Sequence, residues 1–129
     1  MSKKKVMLVL DDETGILGIF EELMGSEFEI HCCKSVSEAK NILKEHKPDI
    51  MFLDYLVNGE VGVSLIDEVQ KENLETNWAI MTSYRRMITE NDLRKMDNCP
   101  IIEKPFKLEL LKKTLSAILE NNKKKLKIN

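Results

Sequence analysis

The sequence predicts an α/β fold, a doubly wound five-stranded parallel sheet flanked by five helices. Three observations predict it. Apolar runs of strand length alternate with segments of helical period along the whole chain. Several runs are apolar at successive positions, as in strands buried on both faces. Carboxylates, hydroxyls and a lysine stand just past the ends of these runs, where open parallel sheets bind their ligands.

The elements follow in order. Val6 to Leu10 is a strand-type run. Thr14 to Gly25 carries Ile16, Leu17, Phe20, Leu23 and Met24 at helical spacing. Phe28 to Cys33 is a second strand, less apolar and so nearer an edge. Ser35 with Glu38 matches a capping box, and Val36, Ala39, Ile42 and Leu43 give the stripe of the helix behind it. Ile50 to Leu53 is a very apolar third strand, followed by a loop holding Gly59 and Gly62. Val63 to Lys71 is a helix with Leu65, Ile66 and Val69 inward. "WAIMTS" is the fourth strand, and Met87 to Met96 a polar-faced helix. Ile101 to Glu103 is a short fifth strand. The last helix runs from Lys107 to about Asn122, with Leu108, Leu111, Leu115 and Ile118 on one face.

Composition bounds the function. A chain of 129 residues, 43% hydrophobic, fits one domain with one core. A formal net charge of -2 gives no general pull toward nucleic acid or anionic membrane. No apolar run approaches the ~20 residues of a membrane span. The basic start "MSKKK" is followed by only five apolar residues, too few for a signal peptide. Cys32, Cys33 and Cys99 show neither disulfide nor zinc spacing, and read as reduced, buried thiols. A cytoplasmic protein is expected, with residues 4–121 as its domain and residues 122–129 as a basic, frayed tail.

The chemistry collects at one edge of the expected sheet. The first strand ends in Asp11, Asp12 and Glu13, the third in Asp54, the fourth in Thr82 and Ser83, and the fifth in Lys104 before Pro105. Like charges so close repel, and a cation would relieve them. Carboxylates with retained waters suit Mg²⁺. A hydroxyl and an ammonium opposite that ion would hold a phosphoryl group, and one carboxylate can be its nucleophilic acceptor. Asp54, alone at the end of the most apolar strand, is the best choice. Each residue also has a plain reading: Asp11 and Asp12 as helix caps, Asp54 as a turn residue, Thr82 and Ser83 as caps of the fourth helix, Lys104 as an exposed lysine.

Over residues 4–121 the chain resembles the receiver domain of two-component response regulators, and in length the single-domain kind, such as the chemotaxis regulator. The matching residues are Asp11–Asp12, Asp54 closing "IMFLD", Gly62, Thr82 after "WAIM", and "KPF" from Lys104 to Phe106. The resemblance implies the flavodoxin-like strand order 2-1-3-4-5. It implies that Asp54 accepts a phosphoryl group from a histidine kinase or histidine phosphotransfer protein. Asp12, Asp54 and the Leu56 backbone carbonyl would bind Mg²⁺, with Asp11 reaching it through water. Thr82 and Lys104 would contact the phosphoryl group, and Lys104–Pro105 would be a cis peptide. Leu56 and Tyr84 would flank the path of the hydrolytic water, which Leu56 cannot hydrogen-bond and Tyr84 can shield, so slow autodephosphorylation is expected. Output would pass to a protein target through residues 83–121, or through a homodimer, with no direct nucleic-acid contact.

The sequence departs from the pattern in places. The loop "YLVNGEVG" lacks the family's Met-Pro, and Ile101 stands where an aromatic residue usually turns inward as the threonine moves. Ser83 keeps the small residue usual at its place. Two other readings follow: a phosphorylation-independent interaction module that kept the fold, and a metal-dependent phosphohydrolase. The second wants Asp-x-Asp after the first strand, where this chain has Glu13.

Overall fold

The computed structural model describes residues 3–128, with side chains described over 3–121. The tail expected over 122–129 lies outside the described side chains. The elements in chain order are β1 (Lys5–Leu10), α1 (Thr14–Met24), β2 (Phe28–Cys33), α2 (Val36–His46), β3 (Ile50–Asp54), β4 (Leu56–Val57) and β5 (Glu60–Val61). Then come α3 (Ser64–Lys71), β6 (Asn77–Thr82), α4 (Glu90–Met96), β7 (Ile101–Glu103) and α5 (Leu108–Ile128). A single 3-10 turn, Arg85–Met87, precedes α4.

Five strands form one parallel sheet in the order β2-β1-β3-β6-β7. β4 and β5 pair only with each other, so the sheet strands taken alone have the expected order 2-1-3-4-5. β2 is an edge strand, as its weaker apolar character suggests.

Strand alternation divides the core in two. Met7 and Val9 of β1, with Ile50 and Phe52 of β3, face Leu17, Phe20 and Met24 of α1 and Leu111, Leu115 and Ile118 of α5. Leu8 and Leu10, with Met51 and Leu53, face Val36, Ala39 and Leu43 of α2, Leu65, Ile66 and Val69 of α3, and Met96 of α4. A central strand therefore has no polar face to offer, which is why "VMLVL" and "IMFL" read as unbroken apolar runs. The connection from β1 leads to β2 on one side, and that from β3 leads to β6 on the other. The crevice between the carboxyl ends of β1 and β3 is the switch point where such sheets bind ligands.

Three local readings are corrected. The stretch after Asp54, read as a loop, contains the hairpin β4–β5. Its turn residues Asn58 and Gly59 have φ of 51° and 81°, the left-handed pair that a tight two-residue hairpin requires and that Asn-Gly supplies. The fourth helix begins at Glu90 rather than Met87. Its cap is Thr89, whose hydroxyl accepts the Asp92 amide at 3.1 Å, not Thr82 or Ser83. The last helix is longer than expected, reaching Ile128.

Ser35 caps α2 as expected, its hydroxyl accepting the Glu38 amide at 3.2 Å. The three cysteines are free; only Cys33 is buried as expected, Cys32 and Cys99 being half-buried at the core's margin, and burial pushes each thiol up to about 12. Among the described residues no helix is long and apolar enough to cross a membrane.

One long-range bond ties the end of β3 to α4. The buried Tyr55 donates its hydroxyl to Asp92 Oδ2 at 2.6 Å and accepts the Thr89 amide at 3.4 Å. Burial, then the Asp92 bond, raises the Tyr55 phenol above its ordinary value. Tyr55→Phe should lower stability by about 1–2 kcal/mol, because a bond to a charged group is lost. Amide exchange over residues 89–92 should quicken in the same variant. Unchanged exchange there would show that the bond does not hold the first turn of α4.

Candidate functional site

The site is built from the ends of four strands. β1 ends at Leu10, and the next residue, Asp11, donates its amide to the Cys33 carbonyl at 3.1 Å, extending the β1–β2 pairing by one residue. Its side chain is 0% exposed. Asp11 Oδ1 accepts the Glu13 amide at 2.9 Å and Oδ2 accepts Lys104 Nζ at 2.6 Å. Neither Asp11 nor Asp12 caps α1, whose N-cap position is Glu13 and carries no side-chain cap bond. Asp12 is exposed at the mouth of the crevice.

Asp54 is the last residue of β3, within the strand rather than after it. Tyr55 then donates its amide to the Met81 carbonyl at 2.7 Å, which keeps β3 paired to β6 past the carboxylate. On the other side Gly62 donates to the Tyr55 carbonyl at 2.8 Å, folding the hairpin back under the site.

Lys104 joins these parts. It follows β7, and its amide donates to the Thr82 carbonyl at 2.7 Å. Its ammonium lies 2.6 Å from Asp11 Oδ2, 3.2 Å from Asp54 Oδ2 and 3.6 Å from Glu13 Oε1. With 7% of its side chain exposed, it is not a plain surface lysine. The Lys104–Pro105 peptide is cis.

The electrostatics follow from burial and crowding. Asp54 is raised from 3.8 to about 6, first by burial and next by the Asp11 charge, against the pull of Lys104. Burial pushes the Lys104 ammonium down, but the Asp11 hydrogen bond and the Asp11 and Asp54 charges leave it above its ordinary value. Four carboxylates, Asp11, Asp12, Glu13 and Asp54, thus gather around one ammonium. One oxygen from each of Asp11, Asp12 and Asp54 lies within 4.8 Å of the others, so the cluster could hold a metal ion. Two of the three are buried, all are hard oxygen donors, and their excess charge is what a small divalent cation would neutralise.

The remaining expected residues fall around this centre. Thr82, buried at the end of β6, accepts the Tyr84 amide on its hydroxyl oxygen at 3.1 Å. Ser83 is exposed. Tyr84 is 69% exposed, and Leu56 opens β4 with its side chain about half exposed. Ile101 begins β7 opposite Ile80, half-buried.

Two positions that sequence reasoning passed over support the site. Gly62 matches the family pattern, but the sequence gives no physical reason for it. A Cβ there would lie 2.2 Å from the Asp54 carbonyl oxygen. Tyr55 gave no signal, because its partner lies 37 residues away.

Comparison with known proteins agrees with this arrangement. A family model described as the response regulator receiver domain matches residues 7–116. The response regulator DctR of Bacillus subtilis (strain 168) is 22% identical over 125 residues, 95% of this chain and 55% of that protein. The response regulator protein PilR of Pseudomonas aeruginosa is 25% identical over 120 residues, 92% of this chain and 27% of that protein. The chain thus spans about half the length of one curated relative and about a quarter of the other.

Among solved structures, NtrX from Brucella abortus superposes with a TM-score of 0.82 at 25% identity, over 98% of this chain and 29% of that one. The chemotaxis protein CheY4 of Vibrio cholerae shares the fold, with a TM-score of 0.79 at 18% identity over 90% of this chain and 99% of that one. With a family model covering most of its length and the fold and acidic crevice in place, this chain belongs to the response regulator receiver domain family of two-component systems.

Proposed function

We propose that the chain is a phosphorylation switch in which Asp54 accepts a phosphoryl group from a phosphohistidine donor, on a histidine kinase or histidine phosphotransfer protein, in the presence of Mg²⁺. The observation that carries this reading is the contact of one buried ammonium, Lys104 Nζ, with both Asp11 and Asp54 beside a third carboxylate. Asp11, Asp12 and Asp54, with the Leu56 carbonyl, would hold Mg²⁺, which when bound supplies positive charge for the equatorial phosphoryl oxygens.

The chain's own residues do the rest. An Asp54 carboxylate oxygen attacks phosphorus, the phosphorus–nitrogen bond to the donor imidazole breaks, and an acyl phosphate forms. Lys104 moves from pairing Asp54 to pairing the phosphoryl oxygens, and the Thr82 hydroxyl offers a further hydrogen bond. Around pH 7 and above Asp54 is ionised but poorly hydrated, a favourable state for a nucleophile. Water later attacks the same phosphorus, returning the carboxylate and releasing phosphate.

Output through a protein target at residues 83–121, or through a homodimer on the same face, is supported by its exposed apolar side chains Met87, Leu93, Leu108 and Leu110. A groove of about 400 Å³ lies beside them, lined by Arg85, Ile101, Glu103, Pro105, Phe106, Lys107 and Leu110. Ile101, half-buried and lining this groove, stands at the position where the family usually has an aromatic, which favours a second reading, an interaction module that works without phosphorylation.

Mass spectrometry after incubation with acetyl phosphate and Mg²⁺ separates the readings. One phosphoryl group should be gained by the wild type and none by Asp54→Asn. No gain in the wild type supports the module, and turnover without a trapped adduct supports a phosphohydrolase. Label loss tests the lifetime. Leu56→Asn combined with Tyr84→Glu should speed it about tenfold, or ~1.4 kcal/mol of barrier. A wild type that loses label within seconds, or a double variant that is no faster, rules out water exclusion by these two side chains.

A further inference from the structure

The chain has only two histidines, and the fold brings them together. His31 lies in the edge strand β2, two residues from Glu29, so both side chains emerge on the same face. That face is covered by α2, and His46 is the last residue of α2. The rings of His31 and His46 stack with centroids 3.9 Å apart and planes 24° apart. Glu29 Oε2 lies 2.7 Å from His31 Nε2 and 3.9 Å from His46 Nδ1. One ligand atom from each of the three residues lies within 4.8 Å of the other two. The group contacts none of the acidic crevice. Glu29 pairs with Val6 and His31 with Leu8, toward the amino ends of the strands, whereas Asp54 closes β3 at its carboxyl end.

We propose that Glu29, His31 and His46 form a second metal site, for a transition-metal dication of the zinc class. The donor set is two imidazole nitrogens and one carboxylate, which suits Zn²⁺ and its neighbours and not Mg²⁺. At 2.7 Å from the Glu29 carboxylate, His31 Nε2 is the donor and carries a proton, so the metal takes that proton's place. His31 would bind through Nε2 and His46 through Nδ1, the atoms already turned toward Glu29. The other nitrogen of His46, Nε2, lies 3.8 Å from Glu45 Oε2, beyond hydrogen-bond distance, so Glu45 is a charged neighbour of the ring and not an orienting partner. Donors around tetrahedral zinc sit about 3.3 Å apart, but stacked rings hold their in-plane lone pairs nearly parallel, so binding requires the exposed His46 ring to rotate out of the stack until both lone pairs converge on the ion. Glu29 and His46 are exposed and His31 is half-buried, leaving room for that movement and for water at the remaining position.

The experiment is calorimetric titration of Zn²⁺ into the full chain with Mg²⁺ in excess. The wild type should bind one Zn²⁺, with the ring proton signals of both histidines shifting and the melting temperature rising. His31→Gln and His46→Gln should each weaken binding at least about tenfold. Glu29→Gln, which leaves both rings in place, should weaken it less. Asp12→Ala, in the acidic crevice, should leave it unchanged. Circular dichroism confirms that each variant is folded, and His46 at an exposed helix end can be replaced without touching the core. Three results would each overturn the site: no saturable Zn²⁺ binding, binding that survives in both histidine variants, or binding lost in Asp12→Ala alone.

Discussion

Asp54→Asn should raise the stability of the metal-free protein by about 3 kcal/mol at pH 8 and by only about 0.5 kcal/mol at pH 4. Asp54 ionises at about 6 in the fold and at 3.8 as an ordinary carboxyl. The folded state therefore holds its proton more tightly than the unfolded one. The stability this gives is fully present below 3.8 and is lost as the pH rises through 6. The gap of about two pH units, at ~1.4 kcal/mol each, sets the size of the effect. Asparagine is neutral throughout, so the difference between the two proteins reports Asp54 together with the carboxylates and ammonium coupled to it, and cancels the titrations of distant groups.

The cause is chiefly burial of the charge, with the Asp11 carboxylate second. Mg²⁺ should reverse the order, stabilising the wild type far more than Asp54→Asn or Asp12→Ala. Denaturant melts from pH 4 to pH 8, with and without Mg²⁺, make the measurement. A constant difference across that range would show that Asp54 does not carry the strain.

Gly62→Ala should destabilise the fold by about 3 kcal/mol, at the upper end for overpacking a rigid site. The added Cβ would lie 2.2 Å from the Asp54 carbonyl oxygen and 3.3 Å from its carbon. These are backbone atoms, which cannot swing aside as the end of a flexible side chain can. The same step would strain the Gly62 amide bond to the Tyr55 carbonyl. If Asp54 is the phosphoryl acceptor proposed above, labelling should slow as well, because relief of the clash displaces the end of β3.

Gly18→Ala is the control. It lies in α1 with nothing within 4 Å of the added atom, and alanine is the better helix former by about 1 kcal/mol. One substitution type should thus give opposite signs at two positions. Equal melting temperatures for Gly62→Ala and the wild type would mean that the hairpin can move away from Asp54 at little cost.

The sequence by itself determined the strand and helix alternation, the burial of the central strands on both faces, and the gathering of charged groups at the strand ends. Hydrophobic period and strand length carry that information locally, and each is complete within about ten residues. The β4–β5 hairpin is equally local, since Asn58–Gly59 is a strong turn signal, but strands only two residues long carry no hydrophobic alternation to mark them. The start of α4 was also written locally, in Thr89 three residues before Asp92.

Tertiary structure alone decided which strand ends meet. Lys104 lies 93 residues from Asp11 and 50 from Asp54, yet one ammonium touches both. The same holds for Tyr55 with Asp92, for Gly62 against the Asp54 carbonyl, and for the stacked pair His31 and His46. Period assigns a side chain to a face of its own element. Which residue faces it across the sheet depends on strand order and register, set by packing the whole core at once.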